Sequence, residues 1–161
     1  MQKYKKNYLL NKIKKYYFIK IALMEYTIDS LIRESLKYKD KNNDLDNALK
    51  YAMLSASLSY QPRADSCCCI GEIYLLKNNL EWAKFWFEKA LNNMTVWVDE
   101  ILPDKDYFTI IPLLKLAFIS YSSGDMESAK KYNDAVLMID KNNEIAISNK
   151  KEFEISETKQ P

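Results

Sequence analysis

Residues 79–91 read Asn79-Leu80-Glu81-Trp82-Ala83-Lys84-Phe85-Trp86-Phe87-Glu88-Lys89-Ala90-Leu91, and their reading decides the fold. A polar turn residue opens the stretch, an apolar residue and an acid follow, and then comes a small residue where two helices must approach. An aromatic stands three residues after the alanine, and Asn79 is available as a helix cap. The same order recurs on either side. Asp44-Leu45-Asp46-Asn47-Ala48-Leu49-Lys50-Tyr51-Ala52 precedes it, and Gly124-Asp125-Met126-Glu127-Ser128-Ala129-Lys130-Lys131-Tyr132 follows. Three copies of one helix start make an internal repeat.

Each copy is the second helix of a helix–turn–helix unit, and the first helices are legible upstream. Ile70-Gly71-Glu72-Ile73-Tyr74 precedes Ala83, with Gly71 permitting close helix contact and Tyr74 filling the space beside it. Leu116, Ala117 and Ser120 take the matching places before Ala129, and Pro112 falls in the first turn, where a missing N–H costs little. The spacing predicts helices over 28–40, 45–59, 64–77, 80–92, 108–122 and 126–138. Residues 143–154 read as a closing helix with Ile145, Asn149 and Phe153 along one side, followed by a polar, disordered tail from Ser156 to Pro161.

These spacings resemble the tetratricopeptide repeat (TPR) family over residues 28–143. Gly71, Tyr74, Ala83, Phe87 and Ala90 fall in register, while Cys67 stands at the family's Trp place and Thr95 at its closing proline. The resemblance implies an all-α fold, a right-handed superhelix of about three helix pairs with flanking N- and C-terminal helices. Ala48 and Ala83 are 35 residues apart but Ala83 and Ala129 are 46 apart, so an insertion is expected over 93–106, around Trp97. A narrower likeness is to the TPR segments attached to bacterial family 2 glycosyltransferases. Trp82 to Phe87, Trp97 with Asp99, Tyr107 to Pro112, Gly124-Asp125, Tyr132-Asn133 and Asn149-Lys150-Lys151 carry it. No nucleotide-sugar fold accompanies them, so this likeness transfers no activity.

Composition agrees with a helical reading. The chain has 161 residues, enough for one domain, with 48% hydrophobic and 29% charged residues and only two glycines. Two glycines cannot build a dinucleotide loop or a P-loop. There is no histidine, which removes the commonest general base and metal ligand and every Ser–His or Cys–His nucleophile pair. We therefore expect no enzyme, no cofactor and no metal site. Cys67, Cys68 and Cys69 are consecutive, so their side chains diverge by about 100° on a helix and cannot close on one zinc. They read as small, packed residues of a reducing compartment, and a cytoplasmic location is expected. Redox activity is the lesser reading of the run.

Charge is unevenly placed. Seven lysines and no acid precede Glu25, so the remainder is net acidic although the whole chain carries +2. Residues 1–27 read as a basic amphipathic helix. A solvated lysine face is its plain meaning; contact with nucleic acid or a membrane surface through residues 1–24 is the alternative. The apolar run Tyr16–Met24 is interrupted by Lys20 and is too short to span a bilayer. Nor does a small-residue cleavage site follow it, as a signal peptide requires.

The expected function is a non-catalytic scaffold holding a partner protein or peptide, with a glycosyltransferase as one candidate partner; the alternative is an accessory or remnant TPR module of a bacterial glycosyltransferase system. In a TPR stack the first helix of each unit lines the concave face. Its exposed places in the second unit are Asp65, Cys68, Cys69, Glu72 and Leu75, and in the third Ile111, Leu114, Lys115, Phe118 and Tyr121. Such a groove is largely apolar with an acidic side, suited to an amphipathic helix or extended apolar peptide.

Overall fold

A computed structural model of the chain describes residues 2–92 and 105–158. Seven α-helices follow in order: α1 Gln2–Asp40, α2 Leu45–Ser57, α3 Ala64–Leu76, α4 Leu80–Asn92, α5 Ile110–Ser122, α6 Met126–Ile139 and α7 Glu144–Thr158. A 3-10 turn, Lys105–Phe108, precedes α5, and no strand occurs among the described residues. Most of the insertion expected at 93–106, Trp97 and Asp99 included, lies outside the described residues. The helices pack in consecutive pairs, α1 on α2, α3 on α4 and α5 on α6, with each pair joined to the next and α7 closing against α6.

One local device sets all three hairpins. Asn43, Asn78 and Gly124 adopt positive φ (50°, 56° and 81°), the left-handed conformation that Gly and Asn tolerate best. The residue after each is an N-cap. Asp44, Asn79 and Asp125 accept the backbone N–H three residues on, from Asn47, Trp82 and Ser128, at 3.0, 3.1 and 3.0 Å. The N–H groups of Asn79 and Asp125 also reach back to Tyr74 and Ser120 carbonyls at 2.9 Å, which closes α3 and α5 as their successors begin. In the first hairpin that bond, Asp44 to Tyr38, spans one residue more. Asn79→Ala should therefore lower stability by about 0.5–2 kcal/mol, the usual cost of losing a cap. Urea unfolding checks it, and an unchanged midpoint would show that Asn79 does not hold the turn.

Small residues make the crossings. Ala48, Ala83 and Ala129 are fully buried, and so are Ser35 and Ala117 on the helices they meet. At Gly71 a β-carbon would stand 2.9 Å from the Phe87 ring, which is itself fully buried. The main core runs from α1 to α5 through Ala52, Cys67, Ile70, Ile73, Phe87 and Leu116. A smaller cluster of Leu113, Val136 and Ala146 joins α5, α6 and α7.

Three expectations need correction. α1 runs unbroken through the boundary expected at 27/28, and Thr27 donates to the Leu23 carbonyl at 2.8 Å within it. The closing helix extends past Ile155 to Thr158, because Ser156 shares a 2.9 Å hydrogen bond with the Tyr121 hydroxyl, beneath the contact of Tyr121 with Phe153. Ile145 is exposed, and Ala146 takes the inward place instead. There Asn133 donates to the Ala146 carbonyl at 2.9 Å and accepts from Asn149 at 3.2 Å, so a polar pair fixes how α7 sits on α6.

Candidate functional site

The first helices of the three pairs, α1, α3 and α5, carry the residues expected on the inner face. Asp65, Cys68, Cys69, Glu72 and Ile111 come together there, joined by Ile32 and Leu36 from α1 and by Tyr107 from the 3-10 turn. They line a cleft of about 120 Å³. Ligand pockets for small molecules usually run about 300–1,000 Å³. A cleft this small takes one or two side chains of a docking segment.

Nine of the ten residues, all but Phe118, are more enclosed than their repeat positions suggested. Asp65, Cys68 and Cys69 are buried, not exposed. The Cys68 thiol donates to the Tyr107 carbonyl at 3.4 Å, so the returning turn lies over this part of α3. Cys69 lies 3.4 Å from the Ser35 hydroxyl, which gives its single proton to the Ala48 carbonyl at 2.7 Å. Cys69 is thus the donor of the pair. Burial pushes both thiols upward, Cys68 far upward, so neither has the depressed pKa of a reactive cysteine. Leu75 and Leu114 are half-buried against the two cores.

Asp65 is held by Arg63, whose guanidinium also reaches Asp29 of α1 at 2.9 Å. The Asp65 carboxylate further accepts the Ser66 N–H at 2.8 Å. This arginine clips α1 to the start of α3.

Glu72 joins all three inner helices, accepting from Lys39 of α1 at 2.9 Å and facing Lys115 of α5 at 3.5 Å. Burial works against its charge, but the Lys39 hydrogen bond and charge, helped by Lys115, hold its pKa below the ordinary 4.5. Lys39 is likewise opposed by burial and held above its ordinary 10.5 by Glu72. A depressed carboxylate contributes stability that is complete above its unfolded value and is lost as pH falls through the folded one. The raised lysine contributes stability that is complete below 10.5 and is lost as pH rises beyond it. Glu72→Gln should therefore flatten the loss of thermal stability below about pH 4.5 relative to the native chain. Melting temperatures across an acid pH series read the difference; superimposable slopes would show that the triad carries no linkage.

Beyond the cleft, Lys115 is half-buried and Phe118 is 53% exposed with no aromatic partner among the described residues. Tyr121 is not open, since α7 covers it. Four side chains of the site were missed by the repeat register: Ile32, Leu36, Lys39 and Tyr107. The extra residue in the first hairpin displaces the α1 residues by one place, and the 3-10 turn has no repeat counterpart. Among the described residues, no three His, Cys, Asp or Glu groups are placed to hold a metal ion.

Fold and cleft together define an all-α protein of consecutive helix pairs with a partly filled inner face. No protein-family model matches the chain, and no curated protein matches it.

Proposed function

We propose that the protein is a non-catalytic interaction module, a TPR-like scaffold whose inner face holds a segment of a partner protein. The observation that carries this reading is the cleft between α1, α3 and the 105–111 segment, with the solvent-exposed Phe118 two turns along α5 from Ile111. Its apolar walls, Ile32, Leu36 and Ile111, suit an apolar anchor, and the Lys39–Glu72–Lys115 chain supplies both charge signs at its edge. An amphipathic helix or extended peptide with one bulky apolar side chain fits that description. Three free, buried cysteines agree with a reducing, cytoplasmic setting.

A glycosyltransferase is a second candidate partner. Of the α4 aromatics that carry that likeness, Trp86 and Phe87 are buried and Trp82 and Phe85 are exposed, with Trp82 stacked on Tyr74 at 6.0 Å and edge-on to Phe85 at 5.6 Å.

The test uses the native chain and Phe118→Ala as baits in extracts of source cells. An anchor in a docking groove is worth about 2 kcal/mol or more, so the variant should bind the captured partner about thirty-fold more weakly. Its melting temperature should not move, because Phe118 lies on the open face. Equal affinity for the two baits would remove Phe118 from the site, and a collapse of stability would make it a packing residue.

A further inference from the structure

The described side chains in the N-terminal half of α1 stand clear of the body of the protein. Toward the N-terminus, Ile28 is the last side chain of α1 that is buried, and Asp29 the last to form an ion pair with the body, among the described residues. Side chains 12–20, Leu23 and Thr27 are all exposed. At 1.5 Å per residue, residues 2–27 make a rod of about 39 Å.

A solvated lysine face does not account for what this rod displays. Ile13, Tyr16, Tyr17, Phe18, Ile19 and Leu23 are each between 45% and 72% exposed. Ile13, Tyr16, Tyr17 and Leu23 share one face, and monomeric soluble proteins rarely show such a contiguous apolar set unless it meets a partner. Interleaved with them are lysines alone: Lys12, Lys14, Lys15 and Lys20, with Lys3, Lys5 and Lys6 ahead of them and no acid before Glu25. We propose that this arm lies on an anionic lipid surface, lysines toward the headgroups and apolar side chains at the acyl boundary.

Geometry and charge select that occupant. At about 100° per residue, Leu23, Tyr16, Ile13 and Tyr17 fall within roughly 120° of the helix circumference. Lys14 and Lys15 flank the opposite side with Phe18 between them, and Ile19 lies just outside the arc beside Lys12. Lys20 lies inside the apolar arc, where its long stem can bury while the ammonium reaches the headgroups. No described helix is long and apolar enough to cross a membrane, so the arm rests on the surface. A nucleic acid would engage the lysines, but exposed isoleucine and leucine find no apolar partner along a phosphate backbone. Pairing with the arm of a second copy would set lysines against lysines, with no acid to compensate.

Flotation of the full chain with vesicles tests the proposal. Mixed phosphatidylglycerol–phosphatidylcholine vesicles should bind it, pure phosphatidylcholine vesicles far less, and added salt should weaken binding. Replacing Lys12, Lys14 and Lys15 with Gln should reduce binding about a hundred-fold, at roughly fivefold per lysine. Ile13→Ser with Tyr17→Ser, which keeps every lysine, should also reduce it. Both variants should melt at the native temperature, since these side chains touch no core. Equal binding to neutral and anionic vesicles, or none to either, would overturn the proposal. So would tighter binding to duplex DNA than to the vesicles, or a dimer in light scattering that the Ile13/Tyr17 variant abolishes while vesicle binding persists unchanged.

Discussion

Truncating Phe87 to alanine should lower the stability of the fold by about 3–5 kcal/mol, a large part of the 5–15 kcal/mol typical of a domain. The ring is fully buried and lies over Gly71, where a β-carbon would approach it to 2.9 Å. Gly71→Ala should itself cost about 1–3 kcal/mol, because the aromatic ring has no flexible end to give way. The two effects should not add. With the ring gone, the new methyl enters the vacated space, so the double variant should be more stable than the sum predicts by over about 0.5 kcal/mol. Denaturant unfolding of the four proteins measures the cycle. Strict additivity would mean that the two residues do not meet.

Removing the Arg63 side chain comes next in size. Its guanidinium joins Asp65 on α3 to Asp29 on α1, and both Arg63 and Asp65 are nearly enclosed. Loss of one member of a buried pair usually costs about 3–5 kcal/mol, since the other charge stays desolvated. Here Asp29 is half-exposed and Asp65 keeps its Ser66 N–H, so Arg63→Ala should lie at the lower end, about 3 kcal/mol. Arg63→Ala with Asp65→Ala should recover part of that loss, because no orphaned carboxylate remains on α3. If the double variant is no better than the single one, Arg63 acts by packing alone.

Much of the helical order was legible because its signals are local. An Asx cap three residues ahead of its bonded N–H, and an alanine or glycine where helices cross, are short-range requirements readable in single residues. That is why Asn79, Ala83, Gly71 and Ala129 mark the hairpins correctly. What escaped depends on contacts distant in sequence. Cys68 stands at an outward repeat position, yet Tyr107, 39 residues away, covers it. Ser35 matches Gly71 and Ala117 structurally, but the longer first hairpin places it thirteen residues before Ala48 instead of twelve. The change from a lysine-only stretch to a mixed one suggested a boundary near residue 27, while the backbone needs only helix formers to continue. Ile145 and Ala146 differ by a single helical step, and the decision between them comes from Asn133 across the α6–α7 seam.

Of the ten residues expected on the inner face, Asp65, Cys68, Cys69, Glu72 and Ile111 meet in one cleft and the other five do not line it. Glu72 and Lys115 were placed on one surface by their register, but Lys39, which turns them into a chain across three helices, lies on α1. Tyr121 and Leu114 are drawn into packing by α7 and the second cluster, which leaves Phe118 as the exposed one of the ten.

Hydrogen exchange of the chain, alone and with the partner it captures, tests the inner-face account most directly. Binding in the cleft should slow exchange of amides in α3, α5 and the Lys105–Phe108 turn and leave α4 and α6 unchanged. Slowed exchange on α4 or α6, with α3 and α5 unaltered, would place the partner on the outer side and contradict it.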